Sequence, residues 1–131
     1  MSDHVAVLRG IYDEWAKGNL RPGLELLDPH VVYVNRPGLI EASTCYGLEA
    51  MQLWMREFLS AWDTYEAHAT EFIPSGDSVV VEVRQVAAGR GSGIPAEASL
   101  FHVWTFRGST VIRLESVIDR AEALEAAGLS E

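Results

Sequence analysis

The sequence predicts an α+β protein in which a curved, mainly antiparallel sheet carries helices on its concave face, forming a cone open at one end. Three observations predict it. Helical periodicity dominates the first half of the chain, strand alternation dominates the second, and one β-branched run, Val31 to Asn35, is set between two helical patterns. With 131 residues, 48% apolar and 22% charged, one domain over 1–131 accommodates a core and a pocket within it.

From Asp3 to Lys17 the apolar residues Val5, Leu8, Ile11, Tyr12 and Trp15 share one helical face; Ser2 or Asp3 caps its start and Gly18-Asn19 stops it. Pro22 to Leu27 suits a short second helix that Asp28-Pro29 ends. The strand Val31–Asn35 is closed by Pro37-Gly38, and a loop runs on to Tyr46-Gly47. Leu48 to Trp62 is the strongest helix, with Met51, Trp54, Met55, Phe58 and Trp62 forming a bulky stripe read as core packing. Strands follow at Tyr65–Ile73, Ser78–Ala88, Ala96–Phe106 and Thr110–Ile118. They are joined by Pro74-Ser75-Gly76-Asp77, by the glycine-rich Gly89 to Gly93, and by Arg107-Gly108-Ser109. Asp119 caps a last helix, Arg120–Ala127, which Gly128 ends.

Ten basic against nineteen acidic residues give a formal charge of −9, which argues against nucleic acid and against an anionic membrane surface as partners. The opening MSDHVAVLRG lacks a long apolar run, so neither a signal peptide nor a membrane span is expected and the location expected is cytoplasmic. The single cysteine, Cys45, has no basic neighbour to make it a nucleophile, and His4, His30 and His68 form no metal-site spacing with it. The Gly89–Gly93 segment joins strands and does not precede a helix, so it is a turn and not a phosphate cradle. Arg36, just past the first strand, is a rim or solvated charge.

The segments Tyr12–Leu20 (YDEWAKGNL), Asp28–Asn35 (DPHVVYVN), Gly47–Phe58 (GLEAMQLWMREF), Gly89–Pro95 (GRGSGIP) and Val103–Leu129 resemble the nuclear-transport-factor-2-like (NTF2-like) superfamily, in particular its SnoaL-like polyketide cyclase group. The resemblance spans nearly the whole chain and implies the NTF2-like cone. It says little about chemistry, because that scaffold hosts many activities. Two enzymes of the superfamily are testable against these residues. The epoxide hydrolase pattern keeps its tyrosine and asparagine at Tyr33 and Asn35, but its Asp-Arg-Asp set falls on Val83, Gln85 and Ser116, leaving no base for water. The ketosteroid isomerase base falls on Asn35, and its oxyanion pair on Ile11 and His102. An asparagine cannot cycle a proton, so that reaction fails too.

Strand alternation places Tyr33, Asn35, Val83, Gln85, Leu100, His102, Trp104, Leu114, Ser116 and Ile118 toward the cone's interior. The residues expected to carry chemistry are His102, as acid and base beside a carbonyl, with Tyr33 and Asn35 holding the oxygen. Tyr12, Trp54, Phe58, Val83, Gln85, Leu100, Trp104, Leu114, Ser116 and Ile118 are expected to contact the substrate, Trp104 by stacking near the mouth. The expected ligand is a small, largely apolar, oxygen-bearing molecule such as a polyketide, terpenoid or steroid-like ketone, handled without organic cofactor or metal. A non-catalytic binding or dimeric interaction module accounts for the same residues. Val80, Val86, Phe101 and Val103 face the convex side, and an apolar patch there implies a homodimer packed back to back.

Overall fold

The computed structural model describes residues 4–35, 43–89, 91 and 95–129. Its elements are α1 (His4–Trp15), a short 3-10 turn (Leu24–Leu26), β1 (Leu27–Asn35), β2 (Ser43–Tyr46), α2 (Leu48–Leu59), β3 (Trp62–Ser75), β4 (Ser78–Gly89), β5 (Pro95–Arg107), β6 (Thr110–Val117) and α3 (Arg120–Ala126). The second helix expected over Pro22–Leu27 shrinks to that 3-10 turn, because Leu27 already pairs with Val111 as the first residue of β1. The expected loop before Gly47 contains β2, paired antiparallel to β1 from Val32↔Tyr46 to Asn35↔Ser43. Gly47 turns β2 into α2 with φ 95°, a left-sided conformation that favours glycine. Arg36, Pro37 and Gly38, the Ser2/Asp3 cap, and Arg90, Ser92 and Gly93 lie outside the described residues.

Six strands form one sheet in the order β2-β1-β6-β5-β4-β3. All neighbours are antiparallel except β1 and β6, which run parallel. Register shifts interrupt β3/β4 between Trp62 and Thr64 and between Ala69 and Glu71, β5/β6 between Thr105 and Phe106, and β1/β6 between Leu27 and Val32. Such bulges bend strands and add twist. The concave face receives α1 and α2, whose Leu8, Ile11, Tyr12 and Met51 join Val31, Val79, Val81, Val83 and Val111 in the main core.

The convex face differs from expectation in one respect. The third helix does not join the other two: Ala123, Leu124 and Ala127 pack on Val80, Phe101, Val103 and Val117, making a second core on the other side of the sheet. Val80 and Val103 are fully buried and Phe101 nearly so. The patch that called for a second copy is filled from within the chain, and only Val86 of the four stays partly open. Beside it, Glu115 is buried with the Arg113 guanidinium 3.2 Å away, where the alternation of this strand suggests a solvated or intersubunit face. Asp119 caps α3 by accepting from the Ala121 backbone N–H at 3.0 Å, and Gly128, at φ 83°, ends it. Leu124→Ala will cost about 2–4 kcal/mol in urea unfolding, because α3 packs on this second core through Leu124 and a seven-residue helix has little stability of its own.

Candidate functional site

Between the concave face of the sheet, α1 and α2 is a cavity of about 670 Å³. Its walls are predominantly apolar and aromatic, and all four tryptophans of the chain, Trp15, Trp54, Trp62 and Trp104, line it. Tyr33 and Trp54 meet edge to face at 5.3 Å, Trp54 and Phe58 stack at 5.2 Å, and Phe58 meets the edge of Tyr65 at 5.6 Å. The stripe of α2 read as core packing is therefore also a cavity wall. Among the described lining residues only Arg56 and Glu97 carry charge, and both are exposed where the cavity opens.

Of the residues expected in the site, Tyr33, Asn35, Trp54, Phe58, Gln85, Leu100, His102, Trp104, Leu114, Ser116 and Ile118 line this cavity. Two do not. Val83 is fully buried in the core, behind the wall. Tyr12 lies behind the wall too, on the buried face of α1, and it acts on the site through His102. Trp104 is 1% exposed, deep in the wall and not at the mouth. The sequence reading passed over Trp15, Met55, Trp62 and Tyr65 as site residues. The signal for the first was present: Tyr12 and Trp15, one turn apart on an apolar face, both carry a polar tip that burial must satisfy.

The hydrogen bonds at the cavity floor form a chain. The Trp104 indole N–H donates to the Tyr12 hydroxyl oxygen at 2.9 Å, and the Tyr12 hydroxyl lies 2.6 Å from His102 Nδ1. Among the described residues Tyr12 has no other acceptor for its proton, so its O–H donates to Nδ1 and the imidazole carries its own proton on Nε2. Burial supports this state. His102 is 8% exposed, and removal from water pulls its pKa down from 6.5 to about 4. Desolvation also pushes Tyr12 well above its ordinary value, which keeps the hydroxyl protonated. His102 is thus a neutral imidazole whose remaining donor, Nε2–H, is on the ring edge away from Tyr12. Trp15 braces the ring edge to face at 6.4 Å and is itself held by its indole N–H donating to the Pro22 carbonyl at 2.9 Å. In this environment His102 is uncharged at neutral pH, with Nε2–H as its hydrogen-bond donor.

The other polar groups are neutral as well. Burial raises the Tyr33 pKa to about 12, hydrogen bonding from Ser116 and Asn35 partly opposes it, and the Tyr33 hydroxyl donates to the Met55 Sδ at 3.6 Å. Burial likewise raises Tyr65, whose hydroxyl accepts from the Gln85 amide. Asn35 is 5% exposed, and its Nδ2 and the Trp62 Nε1 are buried with no partner in the protein. Cys45 is on β2, outside the lining, with its thiol pushed up by burial. His4 stacks on Phe106 at 3.8 Å and His68 meets Glu66 at 2.9 Å, both away from the cavity. Among the described residues no three His, Cys, Asp or Glu side chains are grouped to hold a metal ion, and no helix is long and apolar enough to cross a membrane.

The SnoaL-like domain model matches residues 8–114. The chain belongs to the SnoaL-like domain family. Similar solved structures include an NTF2-like protein of unknown function from Burkholderia pseudomallei, with TM-score 0.77, 23% identity, and 95% of this chain and 97% of that one covered. TerC, co-crystallised with polyporic acid, superposes with TM-score 0.75 at 21% identity over 97% and 99% of the two chains. A protein from Jannaschia sp. CCS1 assigned as a SnoaL-like polyketide cyclase gives 0.74 at 18% identity over 98% and 94%. No curated protein matches the sequence. At these identities the likeness establishes the NTF2-like fold of this SnoaL-like chain, and its chemistry rests on its own residues.

The depressed His102 pKa has a consequence for stability. Between about pH 6.5 and about pH 4 the unfolded chain binds a proton at this residue and the folded chain does not, so folding stability falls as pH drops through that window. The full span is worth about 3 kcal/mol at 1.36 kcal/mol per unit. Urea midpoints of the wild type will therefore decline across this window more steeply than those of His102→Leu, and the His102 ring signals in NMR will stay in their neutral positions down to about pH 5.

Proposed function

We propose that this SnoaL-like chain binds a small, neutral, largely apolar ketone, of polyketide, terpenoid or steroid-like type, with its carbonyl oxygen against His102 Nε2–H. The observation that carries the reading is the Trp104–Tyr12–His102 chain, which leaves the His102 Nε2–H as an oriented donor in a largely apolar cavity. A buried donor discriminates strongly for a ligand that satisfies it and against one that leaves it bare. A donor fixed against a carbonyl oxygen also stabilises the negative charge that develops there when a neighbouring carbon loses its proton. The reaction this supports is proton exchange beside the carbonyl, in which solvent hydroxide takes the carbon's proton, water returns one, and His102 donates to the oxygen throughout. The neighbouring structures with polyketide-cyclase and polyporic-acid associations fit a ligand of this chemistry.

A second reading, binding without turnover, is favoured by one observation: among the described lining residues no carboxylate or other ionised base lies inside the cavity, Glu97 being at its exposed end. The two separate by one experiment. Tryptophan fluorescence, with every indole on the wall, reports binding of indanone, while NMR in heavy water follows deuterium entering the carbon beside its carbonyl. His102→Leu, its fold checked by circular dichroism, will bind indanone about tenfold more weakly, the equivalent of one lost hydrogen bond. Catalysis requires deuterium exchange faster with the wild type than with this variant. Binding with exchange no faster than in buffer establishes the binding module. Equal affinity of both proteins for indanone overturns the assignment of the carbonyl to His102.

A further inference from the structure

The polar groups of the cavity are not one cluster but a row. Asn35 on β1 is the register partner of Ser116 on β6, and Ser116 is the register partner of His102 on β5. All three are at most 8% exposed and line the cavity. Neighbouring strands are about 4.8 Å apart, so the Cα atoms of Asn35 and His102 are separated by roughly 10 Å with Ser116 between them. A single oxygen accepting from two donors spans no more than about 6 Å between them. His102 and Asn35 are thus rooted two strands apart, as two donors in a row, where the sequence suggests Tyr33 and Asn35 on the oxygen with His102 as acid and base.

Each end of the row has a donor in need of an acceptor. At one end it is the His102 Nε2–H, at the other the Asn35 amide, whose Nδ2 is buried without a protein partner. Leaving such a group bare costs about 1–3 kcal/mol, and an apolar replacement of the same shape would avoid the cost. Among the described residues the remainder of that end is uncharged: Tyr33 donates to the weak Met55 thioether acceptor beside Ser116 and Asn35, and the one described cation of the lining, Arg56, is exposed.

We propose that the ligand is a neutral molecule with two acceptor oxygens on one edge, one read by His102 and the other by Asn35, with Ser116 between them. The inference rests on the carbonyl-binding reading above and adds Asn35 as the residue that selects dioxygenated ligands over those with one oxygen.

The test compares two rigid probes of one skeleton, an indanone and an indanedione, each with two methyl groups on the carbon beside the carbonyl so that neither enolises there. Both are titrated by tryptophan fluorescence against the wild type, Asn35→Leu and His102→Leu. The wild type will bind the dione about tenfold more tightly than the monoketone. Asn35→Leu will remove that preference, while His102→Leu will weaken both. Circular dichroism and thermal melting of Asn35→Leu check its fold, so that a lost preference is not a lost fold. A dione bound no more tightly than the monoketone by wild type, or a preference that survives in Asn35→Leu, overturns the two-oxygen proposal while leaving a His102-dependent ketone site intact. Failure of both probes to bind overturns the carbonyl-binding reading and this inference with it.

Discussion

The Tyr12 hydroxyl is out of reach of water, and its two-sided hydrogen-bonding need is met by Trp104 as donor and His102 as acceptor. That arrangement joins α1 to β5 through polar atoms in an otherwise apolar layer, and it sets the proton of the imidazole. Buried polar groups held this way fix a single packing, because any slip of the helix along the sheet would leave three groups bare at once. The position of α1, the state of His102 and the chemistry available on the floor of the cavity are consequences of one set of contacts.

The cavity exists because the apolar load of the sheet is divided between two sides. The convex side is closed by α3 over Val80, Phe101, Val103 and Val117. On the concave side α1 seals the sheet around Tyr12, while α2 stands off it with partly buried Trp54, Met55 and Phe58. Large side chains packed on one another along a helix hold it away from the strands, and the aromatic ladder from Tyr33 to Tyr65 props the space open.

Much of the fold was legible because its signals are local. Period two in Ser78–Ala88, Ala96–Phe106 and Thr110–Ile118, the stripe of α2, and Asp119 ahead of a helical run all act within a few residues. The same alternation placed Tyr33, Asn35, His102, Trp104 and Ser116 on one face. What was not legible depends on depth and partner. Ser43–Tyr46 is a strand only because Val32 to Asn35 offers it an edge. Val83 and Gln85 share a parity, yet only Gln85 reaches the cavity, since parity gives the side and not the distance from the wall. Tyr12 and Ile11 are neighbours on one helical face, and the rotation of α1 over the sheet decided which of them meets His102. The stripe of Ala123, Leu124 and Ala127 was visible as helix, but nothing in its spacing said which side of the sheet it would cover.

The parallel pairing of β1 with β6 carries a consequence for how the molecule comes into being. The hairpins β3-β4, β4-β5 and β5-β6 can zip from their turns, each closing a short loop. The first strand has no place to dock until the last one exists, because β6 is its only bridge to the remainder of the sheet. On the ribosome Val31, Tyr33 and Asn35 must therefore wait, with their apolar neighbours exposed, until β6 has emerged. Such long-range closure is slow, and the pocket is assembled in the same late event that ends this exposure.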